Sequence, residues 1–123
     1  MVFRFLEASD ERLRWMGALV ESEPLAEGRF RDVFEDVGQR VELEAEVLER
    51  EPPKLLVVKL RAKSFEATST QRLEPAGLGT RLTTLVETRY TKRLARLAGP
   101  VVARRAQRQL EQDLAALKRL AEG

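Results

Sequence analysis

The chain has 123 residues, enough for one hydrophobic core and not for two. Apolar residues make up 43% and charged residues 34%, a globular balance, and no apolar run approaches the roughly 18 residues of a membrane-crossing helix. Cys and His are both absent. That excludes disulfides, thiolate nucleophiles, Ser-His-Asp and Cys-His constellations, and zinc held by His or Cys.

Any acid–base chemistry therefore falls to Asp, Glu, Lys or Tyr. Neither the composition nor a motif implies a cofactor or a metal. Asn is absent as well, while Arg, Glu and Leu are abundant. Such usage suits a thermophilic source, and a GC-rich genome would produce the same bias. Met1 to Asp10 shows no basic segment followed by an apolar one. No signal peptide is expected, and the default location is the cytoplasm. The net charge of +2 is weak evidence for any partner. The charges are unevenly placed, with Glu dominating from Glu35 to Glu51 and Arg and Lys from Arg89 to Arg108.

In chain order, Val2, Phe3, Phe5 and Leu6 are spaced as on a helix. Ser9-Asp10 offers an N-cap for a second short helix, with Leu13 and Met16 on one side and Trp15 packing inward. Glu23-Pro24 is expected to end this section, and Glu27-Gly28 marks a turn. From Arg29 the period changes to two. Phe30, Asp32 and Phe34 share one face, and Val37-Gly38-Gln39 reads as a hairpin turn. Val41, Leu43, Ala45 and Val47 then alternate with Glu42, Glu44 and Glu46. Propensity favours helix there, but strict alternation after a turn argues for a strand.

Pro52-Pro53 breaks the chain before a β-rich run from Leu55 to Leu60. Phe65, Ala67 and Ser69 alternate in the next strand, and 74–79 reads as a loop. Leu82, Thr84, Val86, Thr88 and Tyr90 form one face of a strand over Thr80 to Tyr90. Leu94, Leu97, Val101, Ala106, Leu110, Leu114, Leu117 and Leu120 or Ala121 then recur every three or four residues, as on a long amphipathic helix. Gly99-Pro100 inside that pattern predicts a break or kink.

The order is two short helices, an antiparallel meander of five or six strands, and a long C-terminal helix that covers the sheet's apolar face. A single α+β domain spanning 1–123 is expected. This architecture resembles the helix-grip (TATA-box-like) fold of the SRPBCC superfamily, which includes START domains, Bet v-like proteins and polyketide cyclases. Val2-Phe3-Arg4-Phe5-Leu6 is similar to the family's first helix and Leu13-Arg14-Trp15-Met16 to the Leu- and Trp-bearing segment of its second. Glu51-Pro52-Pro53 resembles its x-Pro-Pro turn, and Gly79-Thr80-Arg81-Leu82-Thr83 the opening of its last strand. Gln109 to Lys118 resembles the end of its last helix. Relatives normally begin with a strand ahead of the first helix, whereas Met1 falls almost directly on that helix. Either the start is truncated or the edge of the Thr80–Tyr90 strand is exposed. An exposed edge would favour a homo-oligomer.

The resemblance implies a cavity between the sheet and the long helix, holding a hydrophobic small molecule. Candidate lining residues are Trp15, Phe30, Asp32, Phe34, Phe65, Thr84, Thr88, Tyr90, Leu110 and Leu114. Asp32 could anchor a ligand or act as an acid. The plainer reading puts it in water near a strand end, or has the faces reversed. The threonines are also simply good strand formers, and Trp15 an ordinary core residue. The Arg-rich stretch lacks aromatics interleaved for base stacking, so it reads as a solvated helix face rather than a nucleic-acid site. Gly77-Leu78-Gly79-Thr80 lacks the Lys and following helix of a phosphate loop.

Three functions remain open, in this order. The first is a carrier or sensor of a lipid, quinone or polyketide-like molecule, without catalytic residues. The second is a cyclase or aromatase using Asp32 or Tyr90. The third is a protein-interaction module.

Overall fold

The computed structural model describes residues 2–36, 39–63, 65–90 and 93–122, with the side chains of 2, 36, 39 and 93–103 outside that description. Two short helices, α1 (Val2–Glu7) and α2 (Ser9–Trp15), lead into six strands and a final helix. The strands are β1 (Leu19–Ala26), β2 (Arg29–Asp36), β3 (Gln39–Glu51), β4 (Leu55–Arg61), β5 (Phe65–Ala76) and β6 (Gly79–Tyr90), and the helix is α3 (Arg93–Glu122). The strands form one antiparallel sheet in chain order, with β1 and β6 at its two edges. This is the α+β helix-grip arrangement expected from the sequence.

Register explains the alternation. Residues directly opposite each other on neighbouring strands share a face. Phe30 pairs with Ala45, Asp32 with Leu43 and Phe34 with Val41. Ala45 in turn pairs with Leu60 and Val47 with Val58. Leu56, Val58 and Leu60 continue to Gln71, Ser69 and Ala67, and those to Thr84, Val86 and Thr88. These residues make up the inner face. The glutamates of β3 lie on the outer face, which is why their helical propensity loses. Arg29 pairs with Glu44 at 2.9 Å, Arg31 with Glu42 at 2.6 Å and Arg61 with Glu46 at 3.4 Å. Cross-strand pairs of opposite charge support the strand pairing. The hydrogen bond between Arg31 and Glu42 raises the pKa of the one and lowers that of the other.

Several local expectations need correction. The segment after α2 does not end at Glu23-Pro24, because both lie inside β1. That strand evades a period-two reading because register shifts interrupt its pairing with β2 between Leu19 and Glu21 and between Pro24 and Ala26. Ala8, not Ser9, occupies the cap position of α2, and no side chain caps it. Leu13 is exposed, while Met16 packs on the core. The loop read over 74–79 shrinks to Gly77-Leu78, and Gly77 takes a φ of 61° that an L side chain rarely adopts. The turn read at Val37-Gly38 lies outside the described residues. Of the break or kink expected at Gly99-Pro100, the break is absent, since α3 runs on through both residues and the one backbone bond that proline removes is a small part of 30 residues. Ala106, assigned to the apolar stripe, is exposed together with Arg104, Arg105, Gln107 and Arg108.

The core forms where α1, α2 and the C-terminal half of α3 meet the inner face. Phe3, Leu6, Trp15, Leu56, Leu73 and Leu117 are buried there, with Leu114 and Leu120 packed against them. One polar contact fixes α3 in place. The buried Asp113 carboxylate accepts the Gly17 backbone N–H at 2.9 Å and the Gln109 side-chain amide at 2.8 Å. Asp113→Ala is expected to cost about 1–3 kcal/mol, because it leaves the Gly17 N–H without that acceptor. Urea unfolding followed by circular dichroism measures the loss.

Candidate ligand-binding site

Helices α1 and α2 roof the inner face and enclose a cavity of about 70 Å³ beneath them. The roof is made by Leu6 and Glu7 from α1, Arg12 and Trp15 from α2, and Met16 just after it. Phe30, Phe34, Val47, Leu56, Val58 and Leu60 form the apolar floor. Ser69 and Gln71 of β5 add the polar part of the floor.

Three of the roof residues, Trp15, Glu7 and Arg12, are held by polar partners. The Trp15 indole N–H donates to the Phe5 carbonyl at 2.8 Å, so the ring is fixed with its apolar body inward. Glu7 is paired with Arg50, whose pKa that hydrogen bond raises and whose guanidinium also lies 5.6 Å from the Phe3 ring centre. Arg12 reaches down to Asp32 and lies 6.0 Å from the centre of the Phe30 ring.

Asp32 departs from the plainer expectation. It is neither near water nor on a reversed face, being 0% exposed between Phe30 and Phe34. One carboxylate oxygen accepts from Arg12 and the other from the Ser22 hydroxyl at 2.8 Å. A buried carboxylate needs such partners. Both oxygens are thus engaged, and Asp32 does not line the cavity. It is a strut joining α2 to β1 and β2, and it positions Arg12 in the cavity roof. Arg12 escaped the sequence reading because it lies 20 residues from Asp32 in the chain.

The other candidates separate into groups. Trp15, Phe30 and Phe34 meet at the cavity. Thr84 lies on the same face, directly across from Gln71. Phe65, Thr88 and Tyr90 lie at the opposite end of that face, where Thr88 is exposed and Phe65 and Tyr90 are half-buried. Leu110 is half-buried on α3, and Leu114 lines a separate groove at the β6 edge.

Two polar atoms on the inner face have no hydrogen-bond partner among the described residues. They are Gln71 Oε1, in the cavity floor, and Thr84 Oγ1 beside it. Buried polar atoms are nearly always paired, and exceptions of this kind often mark a place kept for a ligand or water. Ser69 and Gln71 were open to inference, since they continue the alternation begun by Phe65 and Ala67. Beyond Ser69 the face is less covered. Its cross-strand partner Val86 is 42% exposed. Among the described residues, no group of His, Cys, Asp and Glu could hold a metal ion. No described helix is long and apolar enough to cross a membrane.

Known structures share this fold. TTHA0849 from Thermus thermophilus superposes with a TM-score of 0.83 at 20% identity, over 99% of this chain and 89% of its own. A conserved protein from Geobacillus kaustophilus gives 0.80 at 15% identity, over 98% and 86%. A Rhodobacter sphaeroides protein gives 0.74 at 25% identity, over 98% and 82%. No curated protein matches the sequence. Residues 1–122 match the family described as polyketide cyclase / dehydrase and lipid transport, and the chain belongs to that family.

Proposed function

We propose that the protein binds a hydrophobic or amphipathic small molecule against the inner face, with a polar end in the cavity under Trp15. The observation that carries this reading is the pairing of an apolar floor with the unpartnered Gln71 Oε1 and Thr84 Oγ1. Ligand sites combine apolar walls with a few placed polar groups in this way. Size decides how the ligand sits. A cavity of about 70 Å³ has room for a polar head of a few atoms, well short of the roughly 300 Å³ of a typical complete ligand site. The apolar remainder must therefore run along the face toward Val86 and Thr88, which are exposed.

The cyclase reading has less support. It needs an acid or base facing the cavity. Both oxygens of Asp32 are engaged, Tyr90 lies at the other end of the face, and Glu7 is paired with Arg50. Binding without turnover accounts for the site with fewer groups.

Thermal-shift screening tests the proposal. Amphiphiles with a hydroxyl or amide head are expected to raise the melting temperature, by about 2.7 kcal/mol of stabilisation at 100 times the dissociation constant. Equal, negligible shifts across fatty alcohols, quinols and aromatic polyketides would remove it.

A further inference from the structure

The polar groups around the cavity divide into acceptors and donors. On the accepting side are Gln71 Oε1 and Thr84 Oγ1, buried and without a partner among the described residues. These two residues lie directly across from each other on β5 and β6. On the donating side is Arg12. A guanidinium carries five N–H donors. Among the described residues Arg12 uses one of them, toward Asp32, and its side chain is only 11% exposed. Arg12 lines the cavity from the roof and Gln71 from the floor, so a head of a few atoms sits between them.

The charges around the cavity cancel. Arg12 is neutralised by Asp32, and Glu7 gives both of its oxygens to Arg50. An ionised head would therefore enter without a counter-charge of its own, and an unpaired buried charge is costly. The site favours a head that is neutral, accepts from Arg12 and donates to the two oxygens.

We propose that the site selects amphiphiles with a primary carboxamide head, an inference that rests on the ligand site proposed for the cavity under Trp15. The carbonyl oxygen accepts from Arg12, and the two N–H groups donate to Gln71 Oε1 and Thr84 Oγ1. A primary amide carries an acceptor and two donors within three atoms, which matches these groups. An alcohol donates once and leaves one oxygen unmatched. A methyl ketone donates nothing. A carboxylate only accepts, and it adds the unpaired charge.

Titration calorimetry with amphiphiles that share one alkyl tail tests this, the heads being primary amide, N-methylamide, alcohol, methyl ketone and carboxylate. At neutral pH the primary amide should bind tightest. The N-methylamide and the alcohol should each be about tenfold weaker and the ketone about a hundredfold, with the carboxylate no tighter than the ketone. Arg12→Met combined with Asp32→Leu leaves neither charge unpaired. That double variant should keep the circular dichroism spectrum and bind the amide about tenfold more weakly. Failure of the site and failure of the head preference look different. If none of the five binds, the site itself is lost and this inference with it. If the five bind equally, or the carboxylate binds tightest, the site stands and the carboxamide preference is overturned. An amide affinity that the double variant leaves unchanged also overturns it, because Arg12 would then take no part.

Discussion

Asp32→Ala is expected to lower stability by about 3–5 kcal/mol, a fall in melting temperature on the order of 10 °C or more. The cost does not come from losing an attraction alone. Asp32 is 0% exposed and the Arg12 side chain 11% exposed, so the variant leaves a guanidinium buried without its counter-charge. It also leaves the Ser22 hydroxyl without its acceptor. Replacing both charges by apolar groups removes that penalty. Arg12→Met with Asp32→Leu should therefore be much more stable than Asp32→Ala, though it has two substitutions. Guanidinium unfolding of the three proteins settles the order. Equal losses in the single and double variants would mean that the two groups do not interact.

The second large effect has the opposite sign. Thr84→Val and Gln71→Leu should each raise the stability of the unliganded protein by about 1–2 kcal/mol. Each change removes a buried polar atom that has no partner among the described residues and keeps a similar shape. Both should weaken ligand binding, about tenfold for each hydrogen bond lost to the ligand's polar end. A functional site often holds groups that are costly until the ligand arrives. Unfolding free energies and titration calorimetry on the same preparations measure the two effects. If both variants lose stability, the two atoms are paired within the fold and are not reserved for a ligand.

These two predictions rest on features that were unevenly legible in the sequence. The β3 strand could be read because Val41 to Val47 alternate without interruption, even though Glu and Ala favour helix. The family resemblance was legible for a related reason. Motifs such as Glu51-Pro52-Pro53 and Gly79-Thr80 sit at turns, where local backbone demands restrict the residue type. Strand β1 was not legible, because Pro24 and the register shifts that protect an edge also erase its periodicity. Alternation with Phe30 and Phe34 puts Asp32 inward, but a lone carboxylate argues for water, so its burial was not legible. Nor was its partner Arg12, since only the docking of α2 on the sheet brings them together. The same holds for Gln71 and Thr84, which become neighbours only through the register of a hairpin. Periodicity thus reveals which face a residue occupies, while the identity of its neighbours across the fold must come from the structure.

The proposed site contains its own reporter. The sequence has one tryptophan, and Trp15 lines the cavity. Titrating amphiphiles of graded head and tail while following Trp15 emission therefore reads this site directly. The account predicts a saturable change for an amphiphile with a hydrogen-bond donor at its head, and a weaker apparent affinity in Gln71→Leu. An emission that no amphiphile alters, or an affinity that Gln71→Leu leaves unchanged, would contradict it.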